Sequence, residues 1–391
     1  MSYGKITEEG IAQLHSRIDK EFPISQPFIR YMNQDSFTHV ARGIGDMNPL
    51  YTDPDYAANG PFGKLIAPPA VFYAVGWGSW DLRRGEGLPG VHGLHSGDGW
   101  RYFRPVFDGD EVHAVKKLVK ADPMEGRFAG KAMLMQVREI SYFNQDDELV
   151  AIQEMPVIRA EREAAKKEGK YTKIKPAKYT EDEIAQIDAE LDVESPTGSE
   201  TRYFEDVEVD QTLDQAIKGP LTVPDMVTWL QGIGSPHIRS GKYWREYRKV
   251  SPKIAVPDPE SGVLLPVERV HWDSFMAAEI GMPAAYDYGS QRGGYATYFM
   301  TNWISDAGWL AKLDFQYRGM FFLGDVIRIN GKVIDKWRGA ETGTGYVEVE
   351  FHSVNQRGDD IMPGKGIVAL PSRKEGSLQF PLDVKADGRA N

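Results

Sequence analysis

The segment YTDPDYAA, residues 51–58, has a counterpart in HWDSFMAA, residues 271–278. The two segments share an aspartate at their third position and an Ala-Ala pair at their end. In each copy a glycine follows within three residues, and an apolar stretch comes after it. Internal similarity of this kind indicates a repeated structural unit.

A second pair of matching segments lies downstream in the same order. Residues 101–119 resemble residues 314–333, and each segment has an arginine and two aromatic residues before a Gly-Asp turn. The turns begin at Gly109 and Gly324, and each precedes a segment that alternates between polar and apolar residues, as strands do. Two matches in the same order indicate that the chain contains one domain twice.

Each copy is predicted to contain a helical opening, a buried helix and then several long strands. The apolar pattern predicts the buried helices over residues 69–80 and 290–304. The predicted strands cover residues 99–105, 110–120, 129–144 and 148–159 in the first copy and residues 311–318, 325–335, 344–354 and 364–371 in the second. A helix followed by an antiparallel meander that wraps around it is an α+β fold.

Composition shifts predict the domain boundaries. We expect domains over residues 1–159 and 201–372, joined by a highly charged linker over residues 160–200 that contains a short acidic helix. Residues 373–391 form a polar tail that is expected to cross the surface or fray.

The composition excludes several kinds of site. The 391 residues include no cysteine, so disulfides, thiolate nucleophiles, zinc–thiolate sites and iron–sulfur clusters are ruled out. A net charge of −11 argues against nucleic acid and anionic membranes as partners. We find no metal-ligand spacing, no apolar run of membrane-spanning length and no secretory signal, and therefore expect a cytoplasmic protein without a metal. His92 and His95, in a glycine-rich turn, receive no role.

The stretch RGIGDMNPLYTDPDYAANGPFGKLIAPP, residues 42–69, resembles the hydratase motif of MaoC-like acyl-CoA dehydratases. The family pattern is Gly-Asp, then Asn-Pro, then a histidine with an acidic residue two positions beyond it. The resemblance covers roughly residues 5–372 and implies a double hotdog fold, in which each of two tandem antiparallel sheets wraps around a central helix. It also implies an enzyme that adds water to, or removes it from, an acyl-CoA thioester. Coenzyme A would then be part of the substrate, and no separate cofactor is expected.

The first copy departs from the family pattern in ways that weaken it as a catalyst. It keeps Asp46 and Asn48 but has Tyr51 where the family has histidine. A tyrosine with its ordinary pKa of about 10 is a poor base at neutral pH, although it still donates a hydrogen bond. The family places a glycine N–H at the start of the helix to bind the thioester oxygen, but Pro68 and Pro69 have no N–H.

The second copy carries the complementary residues. His271 stands at the histidine position of the motif, and Gly289 stands at the helix start, where its N–H would bind the thioester oxygen. Ser235 replaces the motif aspartate, and an insertion over residues 236–266 follows it. The further residues that we expect to line the substrate site are Asn48, Asp273, Tyr288, Gln291 and Arg292.

Three arrangements of the site remain open. In the first, His271 and Gly289 act in the second copy, with an acid from the 236–266 insertion, from Glu268 or from Asp46. In the second, Asp46 forms an altered site in the first copy together with Asn48 and Tyr51. In the third, neither copy is catalytic, and the chain binds acyl thioesters or supports a partner. Because hotdog sites lie at the seam between two copies, the first two arrangements could form a single site.

The insertion contains a basic and aromatic cluster over residues 237–253. Arg245, Arg248 and Lys249 are candidates for binding coenzyme A phosphates, while a solvated loop is the alternative. Aromatic residues near the second buried helix suit a bulky or cyclic acyl group and equally suit a packed core. A hotdog thioesterase and a non-catalytic thioester-binding subunit are the alternative functions. We expect a homodimer or a higher homo-oligomer.

Overall fold

The protein folds around one long antiparallel β-sheet. A computed structural model describes residues 4–77, 88–171, 173–196, 198–340 and 342–382. The strands are β1 (Glu21–Pro23), β2 (His92–His95), β3 (Gly97–Tyr102), β4 (His113–Gly126), β5 (Gly130–Phe143), β6 (Leu149–Ala160), β7 (Ala216–Lys218), β8 (Ala255–Pro257), β9 (Leu264–Pro266), β10 (Trp309–Gln316), β11 (Ile327–Arg338), β12 (Gly345–Asn355) and β13 (Gly364–Leu370).

Helices lie on the sheet and between its strands. The α-helices are α1 (Glu8–His15), α2 (Gln34–Ile44), α3 (Pro49–Thr52), α4 (Pro54–Ala58), α5 (Phe72–Gly76), α6 (Arg162–Glu168), α7 (Glu181–Asp192), α8 (Val223–Ile233), α9 (Gly241–Val250), α10 (Ser274–Ala278) and α11 (Gly289–Ile304). Across the described ranges, none of these helices has the length and apolar character needed to cross a membrane.

Eleven of the strands form a single sheet that runs through both copies. The order is β1-β4-β5-β6-β3-β10-β13-β12-β11-β7, with β2 also paired to β6. The copies join where β3 pairs antiparallel with β10, so that Arg101 lies opposite Lys312 and Gly97 opposite Gln316. All eight predicted long strands are present with shifted bounds, and the α+β prediction is confirmed.

Equivalent side chains stabilise equivalent turns in the two copies. Asp53 and Asp273 each accept a hydrogen bond at 3.1 Å from the backbone N–H three residues later, and they thereby cap α4 and α10. Asp110 and Asp325 each accept from the backbone N–H three residues earlier, at 2.7 and 3.1 Å. Because both copies use the same contacts, the aspartates recur at equivalent positions of the sequence.

Helix α11 is the central helix of the second copy, and almost all of its residues are buried. It packs against β10 and β13 of its own copy and against α2 of the first. Two adjacent glycines permit this close approach. A Cβ atom at Gly293 would lie 2.2 Å from the Tyr73 hydroxyl, and one at Gly294 would lie 2.5 Å from a methyl group of Ile44.

The corresponding helix of the first copy is shorter than predicted in the described region. Instead of an α-helix from residue 69, the structure has a 3₁₀ turn over Pro69–Val71 and then α5. Pro68 is extended, with φ −60° and ψ 140°, because a proline disfavours the helical conformation in the residue before it. The rest of the predicted helix, residues 78–80, lies outside the described residues.

The charged linker contains the predicted acidic helix, α7, but the connector is not simply solvated. Ile187 is buried, and Glu190 forms an ion pair with Arg328 of β11 at 2.6 Å. Farther along, the carboxylate of Glu194 accepts hydrogen bonds from the Tyr298 hydroxyl of α11 and from a backbone N–H of β7. The connector therefore packs on the second copy, while the exact domain boundaries stay a prediction.

Replacing Gly293 with alanine should destabilise the protein. Alanine would improve helix propensity by about 1 kcal/mol. The clash with the buried Tyr73 hydroxyl should outweigh this gain, because overpacking a core usually costs about 1–3 kcal/mol. We expect a net loss in the free energy of unfolding, measured by urea denaturation.

Gly93 supplies the control for this substitution. A Cβ atom there would have only ordinary contacts of 3.7 Å or more, so Gly93→Ala should leave stability almost unchanged. Equal stability of Gly293→Ala and wild type would contradict the close packing of α11 against the first copy.

Candidate active site

The start of α11 is the centre of the candidate site. Tyr288 is the N-cap residue and Gly289 is the first residue of the helix. The N–H groups in the first turn of a helix have no acceptor within it and lie at the positive end of the helix dipole. A side chain at Gly289 would approach Tyr317 to 3.0 Å and His95 to 3.1 Å. Glycine thus lets Tyr317 and His95 pack closely against the helix start.

His271 lies against this helix start in a form suited to act as a base. Its ring stacks on the ring of Tyr288, with centroids 3.9 Å apart and planes at 26°. Its Nδ1 atom is 2.9 Å from the carbonyl oxygen of Tyr286. A carbonyl only accepts, so Nδ1 carries the proton and Nε2 is left with its lone pair. Burial lowers the pKa of His271 and favours this neutral imidazole at pH 7.

Glu268 brings a carboxylate to the same place. One of its oxygens accepts a hydrogen bond from the Tyr288 hydroxyl at 2.8 Å, and the other accepts from the Ser235 hydroxyl at 2.6 Å. Glu268 and His271 therefore both contact Tyr288. From the sequence, Glu268 is only one of several possible sources of an acid, because nothing in its spacing indicates that it reaches Ser235.

Ser235 occupies the position that Asp46 has in the first copy. Asp46 follows Gly45 at the end of α2, and Ser235 follows Gly234 at the end of α8. Each side chain accepts a hydrogen bond from the backbone N–H two residues later, at 2.9 Å for Asp46 and 3.0 Å for Ser235. The second copy has therefore lost the motif carboxylate from the turn, while Glu268 supplies a carboxylate beside it.

Three other candidate residues are engaged in structural contacts. Arg292 forms a buried, two-point ion pair with Asp287 and donates to a backbone carbonyl at 2.8 Å. Gln291 donates to the carbonyls of two residues at 3.0 and 3.2 Å, one in each copy. Asp273, the cap of α10, also pairs with Arg269 at 3.2 Å. These contacts favour roles in positioning α10 and α11.

Asn48 and Tyr51 of the first copy line a separate small cavity, and the Asp46 carboxylate lies next to it, 2.9 Å from the backbone nitrogen of Asn48. The space open to the centre of a water molecule there is about 20 Å³, enough for about one ordered water. The cavity is also lined by Thr301 and Asp306, near the C-terminal end of α11. Thr301 is twelve residues beyond Gly289, or about 18 Å along the helix. The structure therefore does not bring Asp46 together with His271 in one site.

Burial shifts the pKa values of two charged groups near this cavity, Asp46 and Lys218. It raises the pKa of Asp46 to about 6, partly offset by the nearby charge of Lys218. Burial also lowers the pKa of Lys218 to about 8, and its ammonium group lies 3.3 Å from the centre of the Tyr298 ring. A cation held over an aromatic face and near two carboxylates is well satisfied. The cluster thus has the character of a closed, neutralised polar core.

His95 and Asp98 of the first copy lie at the second-copy site, although their sequence context predicts no role for them. His95 Nε2 lies 2.8 Å from a carboxylate oxygen of Asp98, and His95 contacts Gly289 from the first copy. A His-x-x-Asp spacing was the only signal available in the sequence. Its meaning depends on the pairing of β3 with β10, which the spacing does not indicate.

Part of the chain matches a known family, and nearly all of it superposes on solved structures. Residues 32–153 match the family described as FAS1-like, dehydratase domain region. A solved structure named MaoC-like dehydratase superposes with a TM-score of 0.61 at 17% identity, covering 91% of this chain and 99% of that one. A Mycobacterium tuberculosis protein described as having a double hotdog fold superposes with a TM-score of 0.54 at 12% identity, covering 91% of this chain and 97% of that one. The chain has a double hotdog fold.

Two further proteins resemble this chain, one over a part of it and one over most of it. A UPF0336 protein from Streptomyces avermitilis is 26% identical over 121 residues, which are 29% of this chain and 79% of that protein. A MaoC domain protein dehydratase from Chloroflexus aurantiacus superposes with a TM-score of 0.57 at 14% identity, over 91% of this chain and 96% of that one. The family match supports a dehydratase or hydratase activity in general terms and lies within the first copy.

Helix α9 of the double hotdog protein carries the candidate residues for coenzyme A. Arg245 is exposed, Arg248 lies 5.4 Å from the ring of Trp244, and Lys249 pairs with Glu246 at 2.7 Å. The helix is linked to the site, because its Tyr247 hydroxyl is 2.6 Å from Nδ1 of His237, which follows Ser235 by two residues. The structure therefore places these cations on a helix attached to the Ser235 turn.

The raised pKa of Asp46 predicts that the free energy of unfolding depends on pH, and the variant Asp46→Asn should remove this contribution. The folded-state pKa of about 6 lies above the unfolded value of about 3.9, so folding takes up a proton between these pH values. Stability should therefore fall as the pH rises through this window, by up to about 3 kcal/mol from this group. Urea unfolding at pH 4 and pH 7 measures the change.

Asp55 provides an exposed aspartate as the control. Asp55→Asn should keep the pH dependence of the wild type, whereas Asp46→Asn should flatten it. If Asp46→Asn and wild type lost the same stability between pH 4 and pH 7, Asp46 would not be a buried, proton-binding carboxyl.

Proposed function

We propose that the protein hydrates 2-enoyl-CoA thioesters, and catalyses the reverse dehydration of 3-hydroxyacyl-CoA thioesters, at the start of α11. The observation that carries this proposal is the meeting of three groups at one helix start. They are the imidazole of His271, the carboxylate of Glu268 and the N–H of Gly289. A base, a carboxylate and an oxyanion donor are the groups that hydration of a thioester requires.

The reaction follows from these positions. Nε2 of His271 takes a proton from water as the water oxygen bonds to C3 of the substrate. The electrons of the C2=C3 bond move toward the thioester, whose oxygen gains negative charge and is stabilised by the N–H of Gly289. The imidazolium of His271 then gives its proton to C2, and the thioester carbonyl forms again. Glu268 orients the water and stabilises the imidazolium.

Coenzyme A is proposed to bind along α9. Its phosphates carry several negative charges, which suit the basic residues Arg245, Arg248 and Lys249. The acyl group is proposed to be bulky or cyclic, because the rings of Tyr288 and Tyr317 flank the helix start. The Cys-free composition is compatible with the cytoplasmic location that we propose.

The variants His271→Ala and Glu268→Gln test the proposed base and carboxylate. We expect His271→Ala to lower kcat/KM for 2-enoyl-CoA hydration about 10²- to 10⁴-fold, the usual contribution of a general base. Glu268→Gln should also lower the rate, since the amide carries no charge to stabilise the imidazolium. Loss of enoyl absorbance and release of thiol should be followed together, over a panel of linear and cyclic acyl groups.

Two control variants locate the reaction. Asp46→Asn should keep most of the activity because Asp46 lies near the other end of α11. His113→Ala removes a partly exposed histidine of β4 and should have no effect. Greater loss in Asp46→Asn than in His271→Ala would place the reaction in the first copy instead.

The same assay distinguishes the alternative functions. Release of thiol in place of loss of the enoyl absorbance would identify a thioesterase. Tight binding of acyl-CoA without turnover on any ester would identify a thioester-binding subunit. Either result would overturn the proposed hydratase activity.

The double variant Arg245→Gln with Lys249→Gln tests the binding of coenzyme A. Each contact between exposed charges contributes up to about 1 kcal/mol, so KM should rise about two- to thirty-fold. The value of kcat should not change, because these contacts are the same in the ground state and the transition state. Steady-state kinetics at low ionic strength measures both constants.

Two controls separate a specific contact from a general charge effect. Lys131→Gln removes an exposed positive charge from β5 and should not change KM. A pantetheine thioester, which lacks the nucleotide phosphates, should have the same KM with the double variant and the wild type. An unchanged KM for the CoA ester in the double variant would exclude α9 as the binding surface.

A further inference from the structure

His95 and Asp98 form a hydrogen-bonded pair at the seam between the two copies. His95 is the last residue of β2, and Asp98 lies on β3 directly opposite Phe315 of β10. Their side chains are largely buried, with 12% of the His95 side chain and none of the Asp98 side chain exposed. The pair therefore belongs to the first copy but faces the central helix of the second.

The contacts of Asp98 fix its orientation. Its carboxylate accepts hydrogen bonds from the Tyr73 hydroxyl at 2.5 Å, from the Gln153 amide at 2.7 Å and from Nε2 of His95 at 2.8 Å. A carboxylate that accepts from one ring nitrogen of a histidine sets the tautomer and stabilises the imidazolium. The other ring nitrogen, Nδ1, is then directed away from Asp98.

The Nδ1 atom of His95 lies beside the start of α11. It is 3.1 Å from the position that a Cβ atom would take at Gly289. It is buried and has no hydrogen-bond partner among the residues that the structure describes. Leaving a buried polar atom unpaired typically costs about 1–3 kcal/mol, so such an atom requires an explanation.

We propose that His95 is a substrate-contacting residue whose Nδ1 atom shares the thioester oxygen with the N–H of Gly289. This inference rests on the proposed function, since it assigns a second donor to the same site. With Nε2–H donating to Asp98, a His95 ring that also carries a proton on Nδ1 donates that N–H to the oxygen as negative charge develops on it. One such donor typically contributes about 10²- to 10³-fold to kcat in acyl chemistry.

The proposal explains why the site requires both copies. His271, Glu268 and Gly289 come from the second copy, while His95 comes from the first. Tyr317 contacts both copies. Its ring meets the His95 ring edge-on, with centroids 5.2 Å apart, and its hydroxyl donates to the Gly289 carbonyl. An isolated second copy would lack the second donor to the thioester oxygen.

Two variants separate this role from a structural one. His95→Gln places an amide near the position of Nε2, which preserves the contact with Asp98 and removes Nδ1. His95→Asn places an amide near the position of Nδ1, which preserves a donor for the substrate and removes the contact with Asp98. We expect His95→Gln to lose about 10²- to 10³-fold in kcat at an unchanged Tm. We expect His95→Asn to keep kcat within about tenfold and to have a lower Tm.

A purely structural role for His95 predicts the opposite order. His95→Gln would then be as active as the wild type, and His95→Asn would be the less active variant. That result would overturn the proposal. His352→Gln is the matched control, because it changes a histidine of an exposed His–Asp pair, with Nδ1 2.7 Å from Asp360, and should alter neither kcat nor Tm.

A second readout does not depend on hydration. Acetoacetyl-CoA forms an enolate that absorbs in the near ultraviolet, and groups that stabilise negative charge on the thioester oxygen favour this enolate. Wild type and His95→Asn should increase the enolate absorbance, and His95→Gln should not. If the wild type hydrates no ester but the enolate signal keeps this order, the proposed function fails while the assignment of His95 stands. If the wild type gives no enolate signal, or if His95→Gln keeps the signal of the wild type, the assignment fails.

Discussion

The hydrogen-bonded ladder between β3 and β10 is the constraint on which the rest of the structure depends. It joins two copies of one domain into a single sheet, over five residue pairs from Gly97–Gln316 to Arg101–Lys312. Because Asp98 lies within this ladder, the ladder fixes where His95 stands relative to α11. A shift of the register by one residue would turn the side chain of Asp98 to the other face of the sheet and separate the histidine from the helix start.

The two ends of α11 have become different because the two copies have diverged. At the C-terminal end, the first copy supplies Asp46 and Tyr51, but the pKa of Asp46 is raised by burial and the cavity has space for about one water. At the N-terminal end, Gly289 lets His95 and Tyr317 approach the backbone, and Nδ1 of His271 lies 2.9 Å from the Tyr286 carbonyl oxygen. This asymmetry favours one working site in a chain that has two related halves.

The sequence was sufficient for the fold and for part of the site. Repeated aspartates located the duplication because they cap the same turns, and alternating patterns located the long strands. His271 and Gly289 could be named because they stand at motif positions. Glu268 could be named only as one of several possible acids, and His95 and Asp98 could not be singled out. The positions of these side chains depend on a contact with Ser235 and on strand pairing between copies. Strands that pair across a long stretch of sequence share no local residue spacing that would reveal the pairing.

A crystal structure with a bound saturated acyl-CoA, which cannot be hydrated, would test the central claim most directly. The position of the thioester oxygen is the quantity to measure. The account predicts this oxygen about 3 Å from the backbone nitrogen of Gly289, between His271 and His95, with the nucleotide along α9. A thioester bound beside Asp46 and Tyr51, with the start of α11 free of ligand, would contradict it.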